Sequence, residues 1–293
     1  MTTHESRSIL DGVDPIIAQW VGSAGNPRYG NTPLKSKQAL IDLSENNGHV
    51  TRPSPTTAPD LISKILAKIE ANYGTMGTRE PSISNWAWEK SLYIAPENTA
   101  EEKILEKILV QVLDGSWVNQ VSVCNSMAER NEFCRRIDLA HAVTDSEFEL
   151  IELKYGTEKQ DYGSDTPLFA ALEILQYALL YLFSREKGMY DGLDRKPNLL
   201  SAKTIHLIVL APAGYYTYQA AGGRRKDFDL CWLEACLNDG LCQYLQSRQG
   251  SLPTMDFHFQ CLLPEFDQVY RPLKTAIDEF RKTGISLRKG LCS

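Results

Sequence analysis

Apolar residues recur at positions 61, 62, 65, 66 and 69 of LISKILAKIEANYG, the three- and four-residue spacing that gives a helix one buried stripe. A second such stripe, Ile104, Leu105, Ile108, Leu109 and Val112, follows an N-cap at Asn98 or Thr99 and predicts a helix that stops at Asp114-Gly115. The pattern then changes period. WVNQVSVC, FCRRIDLAHAVT and FELIELKY read as three strands with short links, hence an antiparallel meander. Thr166 followed by Pro167 announces a helix through LFAALEILQYALLYLFSRE, apolar nearly all round and so expected to lie buried against the sheet. A strand TIHLIVLAP, a helix over 228–246, a strand DFHFQCLL and an amphipathic helix in VYRPLKTAIDEFRK complete the order α-β-β-β-α-β, then α-β-α. This is an α/β chain with a mixed central sheet flanked by helices.

Residues 1–50 are rich in Gly, Asn and Ser, with short apolar patterns at ILDGVDPIIAQWV and ALIDL, and TRPSPTTAPD at 51–60 reads as a loop or linker. We therefore expect a partly helical accessory region over 1–97 and the main domain over 98–293. At 293 residues, 43% hydrophobic and 23% charged, the composition is that of a globular protein and excludes disordered, fibrous and membrane-embedded classes. No stretch is expected to approach the roughly 20 apolar residues of a bilayer span, and the N-terminus carries no signal-type pattern, which points to the cytoplasm.

Seven cysteines are scattered without a CxxC pair and read as reduced thiols. The formal net charge of −6 speaks against coating nucleic acid by charge alone, so any phosphate contact must be local. Candidates for such contact are Arg135, Arg136, the run Arg224, Arg225 and Lys226, and Arg281, Lys282, Arg288 and Lys289.

Candidate chemistry lies in RRIDLAHAV and LIELKYG, where charge interrupts segments that otherwise read as buried strand. A buried carboxylate or ammonium normally needs a partner or a metal. Glu152 and Lys154, two apart, share a face. Asp138 joins them only if the hairpin turn has an odd residue count or the pair carries a bulge. A three-residue turn at 145–147 satisfies this and pairs Asp138 with Lys154; a two-residue turn does not. Asp138, Glu152 and the Leu153 carbonyl then offer hard oxygen ligands for Mg²⁺ or Mn²⁺, with Lys154 beside the metal-bound water. The strand histidines His141, His206 and His258 show no partner pattern for a catalytic triad.

An Asp on the second strand of an αβββαβ core, followed after a hairpin by Glu-x-Lys on the third, resembles the PD-(D/E)XK nucleases, with Ile137 in place of the eponymous Pro. The match covers about residues 98–212. The resemblance implies a restriction-endonuclease-like fold, metal binding by Asp138 and Glu152, catalysis by Lys154, and hydrolysis of phosphodiesters, chiefly in DNA. It also implies a carboxylate from the preceding helix, for which Glu101, Glu102 and Glu106 are candidates, and a glutamine on the following helix, here Gln176, contacting DNA or orienting Lys154. RecB-like relatives carry an iron-sulfur cluster in some cases; Cys231, Cys236 and Cys242 lie close together in sequence but at ordinary helical spacing. Arg136 and the Gly-Gly-Arg224-Arg225-Lys226 run are the candidate DNA-backbone contacts. The competing reading is a non-catalytic member of the same fold that serves as an interaction module for a protein partner.

Overall fold

The computed structural model describes residues 8–22, 37–45, 52–75, 80–93, 100–127, 135–155, 165–248, 252–262 and 288–290. Three helices come first: α1 (Val13–Trp20), α2 (Lys37–Glu45) and α3 (Ala58–Thr75). The central run is α4 (Glu101–Val112), β1 (Trp117–Ser122), β2 (Arg136–Ala142), β3 (Glu147–Leu153), α5 (Pro167–Glu186) and β4 (Thr204–Ala211), the order expected from the pattern. A small hairpin of β5 (Thr217–Gln219) and β6 (Arg225–Asp227) precedes α6 (Cys231–Gln246), β7 (Thr254–Leu262) and a short β8 (Arg288–Gly290). The amphipathic helix expected near 269–282 lies outside the described residues.

The main sheet has the order β1-β2-β3-β4-β7-β8. Its first three strands form the expected antiparallel meander, β3, β4 and β7 run parallel, and β8 pairs antiparallel with β7. The sheet is therefore mixed, because the crossovers through α5 and α6 return the chain in the same direction.

The β2/β3 hairpin decides whether the candidate residues meet. Ala142 pairs with Phe148 and Leu139 with Ile151. The Val143 and Thr144 amides both donate to the Glu147 carbonyl, at 2.9 and 3.1 Å. The turn is thus Thr144-Asp145-Ser146, one residue earlier than expected. Its odd count is preserved, so continuing the register puts Asp138 opposite Glu152 rather than Lys154.

Both sheet faces are covered. On one, Phe148, Leu150, Ile205, Leu207, Phe257 and Phe259 pack with α3, α5 and α6 in a large apolar cluster that also takes in Ile9, Val13 and Ile17. On the other, Leu105, Leu109 and Val110 of α4 meet Leu139, Ile151, Leu153, Ile208 and Leu210. Buried Asn72 ties the N-terminal segment down, its side-chain amide donating to the Ile9 and Asp11 carbonyls at 2.9 and 2.8 Å. Helix α5 starts as expected, the Phe169 amide donating to the Thr166 hydroxyl at 3.2 Å.

One expectation is corrected here. At 20 residues, α5 is long and apolar enough to cross a bilayer by length and composition. Of its most apolar 18-residue stretch 83% is buried inside the fold, so its apolar surface serves the core on several sides at once.

Candidate active site

Strand β3 ends where the site begins. The Lys154 amide donates to the Leu210 carbonyl at 2.9 Å, carrying the ladder one residue past β3 and holding Glu152 and Lys154 in extended backbone. Glu152 is 4% exposed and Lys154 8%. The Lys154 ammonium lies 2.6 Å from Glu152 Oε1, 3.7 Å from Glu173 Oε2 and 3.9 Å from Asp165 Oδ2. Asp138 reaches across from β2, its Oδ2 accepting from the Leu153 amide at 3.0 Å. Glu102 reaches in from α4 and accepts from the Tyr155 amide at 3.1 Å. Two side chains on the far side hold Glu173: the Tyr177 hydroxyl at 2.9 Å and the Arg135 guanidinium at 3.1 Å, both on Oε1.

Among the described residues, five carboxylates (Glu102, Asp138, Glu152, Asp165 and Glu173) thus surround one ammonium, with the Arg135 guanidinium at the edge. The crowding is visible in the titration of Asp138, Glu152, Glu102 and Lys154. Burial pushes Asp138 up to about 8 despite the pull of Lys154. Burial, and then the charge of Asp138, holds Glu152 well above the ordinary carboxylate range. Burial likewise raises Glu102. Burial alone would lower the Lys154 ammonium, but Glu152, Glu173, Asp138 and Glu102 outweigh it and hold the group well above the usual lysine value. The lysine is a fixed positive charge, and burial and mutual repulsion keep Asp138, Glu152 and Glu102 above the ordinary carboxylate range.

One atom of this cluster is left over. Glu152 Oε1 is taken by Lys154, whereas Oε2 is buried and has no hydrogen-bond partner among the described residues. An orphaned carboxylate oxygen in a cluster of oxygen donors fits a hard divalent cation, and Glu152, Asp138 and Glu102 are the residues that would hold it.

The structure brings Asp138, Glu152, Leu153 and Lys154 together, and of the glutamates on α4 it directs Glu102 into the site. Glu106, one turn on, is buried and bonded to the Asn119 and Gln120 amides; burial raises it to about 7. Gln176 is buried on α5, but no hydrogen bond joins it to Lys154 among the described residues; Glu173, one turn earlier, faces the lysine instead. Arg136 is exposed on β2 and pairs in the ladder with Ser122, while its neighbour Arg135 turns toward Glu173. Arg224 and Arg225 stand exposed on the small hairpin, where Arg225 Nε donates to the Thr217 hydroxyl at 2.6 Å, and Lys226 lies 3.4 Å from Glu45.

A cleft of about 460 Å³ opens beside Asp165, walled by Thr166, Pro167, Tyr215, Lys37 and Arg225. The Tyr215 hydroxyl is buried there without a hydrogen-bond partner among the described residues. The three cysteines of α6 do not converge: Cys236 is buried with its sulfur 3.5 Å from the Pro53 carbonyl, and Cys231 and Cys242 are exposed.

Glu173, Asp165 and Tyr215 are absent from the sequence-based set. Glu173 had a usable signal, since it is the only acid between Pro167 and Arg185 in an otherwise apolar helix. The same rule that singled out Asp138 and Glu152 in apolar strands applies to it. Asp165 had none, lying in the polar stretch before the helix. No family model, no curated protein and no solved structure matches this chain, so its reading rests on this geometry.

Proposed function

We propose that this chain is a metal-dependent nuclease that hydrolyses phosphodiester bonds in DNA, built like the PD-(D/E)XK nucleases and working in the cytoplasm. The observation that carries the reading is the buried Oε2 of Glu152, left without a hydrogen-bond partner among the described residues while Oε1 is held by Lys154, and Asp138 and Glu102 crowd in beside it. An ordinary structural ion pair is balanced, because unpaired buried charge costs several kcal/mol. A surplus of carboxylates persists where a function uses it.

Glu152, Asp138 and Glu102 would hold Mg²⁺ or Mn²⁺. When bound there, such an ion supplies positive charge against the phosphodiester and lowers the pKa of a coordinated water. The remaining work falls to side chains of this chain. Lys154, kept protonated by its neighbours, offers a donor to the attacking water or to the phosphoryl oxygens as charge develops on them. Glu173, itself clamped by Tyr177 and Arg135, adds a second, longer ionic contact that holds the ammonium on its side of the site while Glu152 bonds it directly. The cleft beside Asp165 suits the continuing strand, with the amide end of α5 and the Lys37 and Arg225 cations on its wall.

The test is cleavage of linear, circular and single-stranded DNA by the wild-type chain and its Lys154→Ala variant, with Mg²⁺, Mn²⁺ or EDTA. Cleavage that needs the metal and falls at least 100-fold in the variant is the expected result. A wild-type chain that leaves every substrate intact with either ion would overturn the reading in favour of a non-catalytic interaction module.

A further inference from the structure

Away from this site, two histidines and an aspartate meet on the parallel strands β4 and β7. His206 and Asp256 are direct cross-strand partners, and His258 follows two residues along β7 on the same face. His206 Nδ1 lies 2.7 Å from Asp256 Oδ1, and His258 Nε2 lies 3.4 Å from the same oxygen. One ligand atom from each of the three falls within 4.8 Å of the others.

The outer nitrogens are equally constrained. His206 Nε2 is 3.0 Å from Glu147 Oε1, and His258 Nδ1 is 3.3 Å from Glu234 Oε1. Glu234 is itself fixed, its other oxygen accepting from the Phe259 amide at 3.0 Å. Each imidazole therefore has a carboxylate on both sides. A neutral imidazole has only one N–H to give, so the second nitrogen needs either an extra proton or a cation. Two rings held from behind by glutamates, with their free edges converging on a shared carboxylate, have the outer-shell arrangement that orients histidines toward zinc.

We propose that His206, Asp256 and His258 form a second metal site, selective for a transition ion such as Zn²⁺ and separate from the all-oxygen set around Glu152. Imidazole nitrogen is the donor that distinguishes the two, since it suits zinc and its neighbours while carboxylate and carbonyl oxygen suit magnesium. Ligands on a tetrahedral zinc stand about 3.3–3.4 Å apart. The His258–Asp256 separation of 3.4 Å already matches, and His206, at 2.7 Å, has to withdraw from Asp256 by about 0.6–0.7 Å. Three protein ligands leave the fourth position to water. The ion would cross-link β4 to β7 near their starts, with Glu147 of β3 joined through His206.

The test uses the full chain stripped of metal and titrated with Co²⁺, then Zn²⁺, following the visible absorption of cobalt and the melting temperature. Expected are cobalt bands of a tetrahedral nitrogen-oxygen site, their loss on adding one equivalent of Zn²⁺, and a raised melting temperature. His258→Asn and, separately, Asp256→Asn should each weaken binding at least tenfold, Glu147→Gln should weaken it about tenfold, and Glu152→Gln should leave it unchanged. Absence of cobalt bands in the wild-type chain overturns the proposal whatever the variants do. So does binding that survives both His258→Asn and Asp256→Asn, or binding that Glu152→Gln abolishes.

Discussion

Glu106 shows how much a single buried carboxyl weighs in this fold. It is 1% exposed and raised from 4.5 to about 7, so the folded chain binds its proton more tightly than the unfolded chain does. The folded state therefore gains from this group at low pH and loses that gain as pH climbs from about 4.5 to about 7, with no further change above. The full swing is up to roughly 3 kcal/mol. Urea denaturation at pH 5 and pH 8 should show Glu106→Gln to be less pH-sensitive than wild type by a large part of that amount; equal pH sensitivity in the two would contradict the assignment. Asp138, Glu152 and Lys154 were legible because charge inside an apolar strand needs a reason. Glu173 carried the same mark on α5, with Tyr177 one turn on along the same helix, but its partner Arg135 and its target Lys154 come from two other segments. Spacing along the chain does not encode such a meeting. Glu102 and Glu106 could not be separated either, because both lie on one helix stripe and only the packing of α4 on β1 sends Glu106 to Asn119 and Glu102 to Tyr155.

Among the described residues the elements with strong periodicity, α3 to α5 and β1 to β4, formed where the pattern put them, and even the short apolar patterns of the first 50 residues became α1 and α2. Strands β5 and β6 escaped notice because three-residue strands carrying Gln219, Arg225 and Lys226 offer no apolar alternation. The hairpin between β2 and β3 kept its odd turn but moved by one residue, since Val143 and Thr144 both bond to Glu147 and close the turn early. Parity, rather than the individual pairing, was the property the chemistry depended on. The close crossing of α3 and α6 was invisible for another reason: it needs a missing side chain. A Cβ at Gly240 would lie 2.7 Å from the Ala58 Cβ and 3.1 Å from its carbonyl carbon, so the two helices approach as they do because nothing projects there. Gly240→Val should destabilise the chain by about 1–3 kcal/mol in chemical denaturation. A variant as stable as wild type would mean the helices separate freely and that the contact is slack.

The described helices of the first 75 residues are built into the same core as the sheet. Ile9, Val13, Ile17, Ile62 and Ile65 lie in one apolar cluster with Phe148, Leu207 and Tyr181. The stretch that reads as a linker is pinned by Arg52, which donates to the Leu43 and Ser44 carbonyls, both at 2.6 Å, and pairs with Asp229 at 2.8 Å. A fragment beginning at residue 98 leaves the facing sides of α5 and α6 uncovered, and it should lack a cooperative thermal transition and aggregate; a sharp transition matching the full chain would show that residues 98–293 fold alone. Over the whole molecule the net charge is only −6, yet five carboxylates crowd the end of β3. That concentration is the centre of the account. Calorimetric titration of Mn²⁺ into the metal-free chain and into Glu152→Gln tests it most directly. The account predicts binding by the wild-type chain that weakens at least tenfold, about 1.4 kcal/mol, when the orphaned carboxylate oxygen becomes an amide. Equal affinity in the two chains, or no binding by wild type, would contradict it.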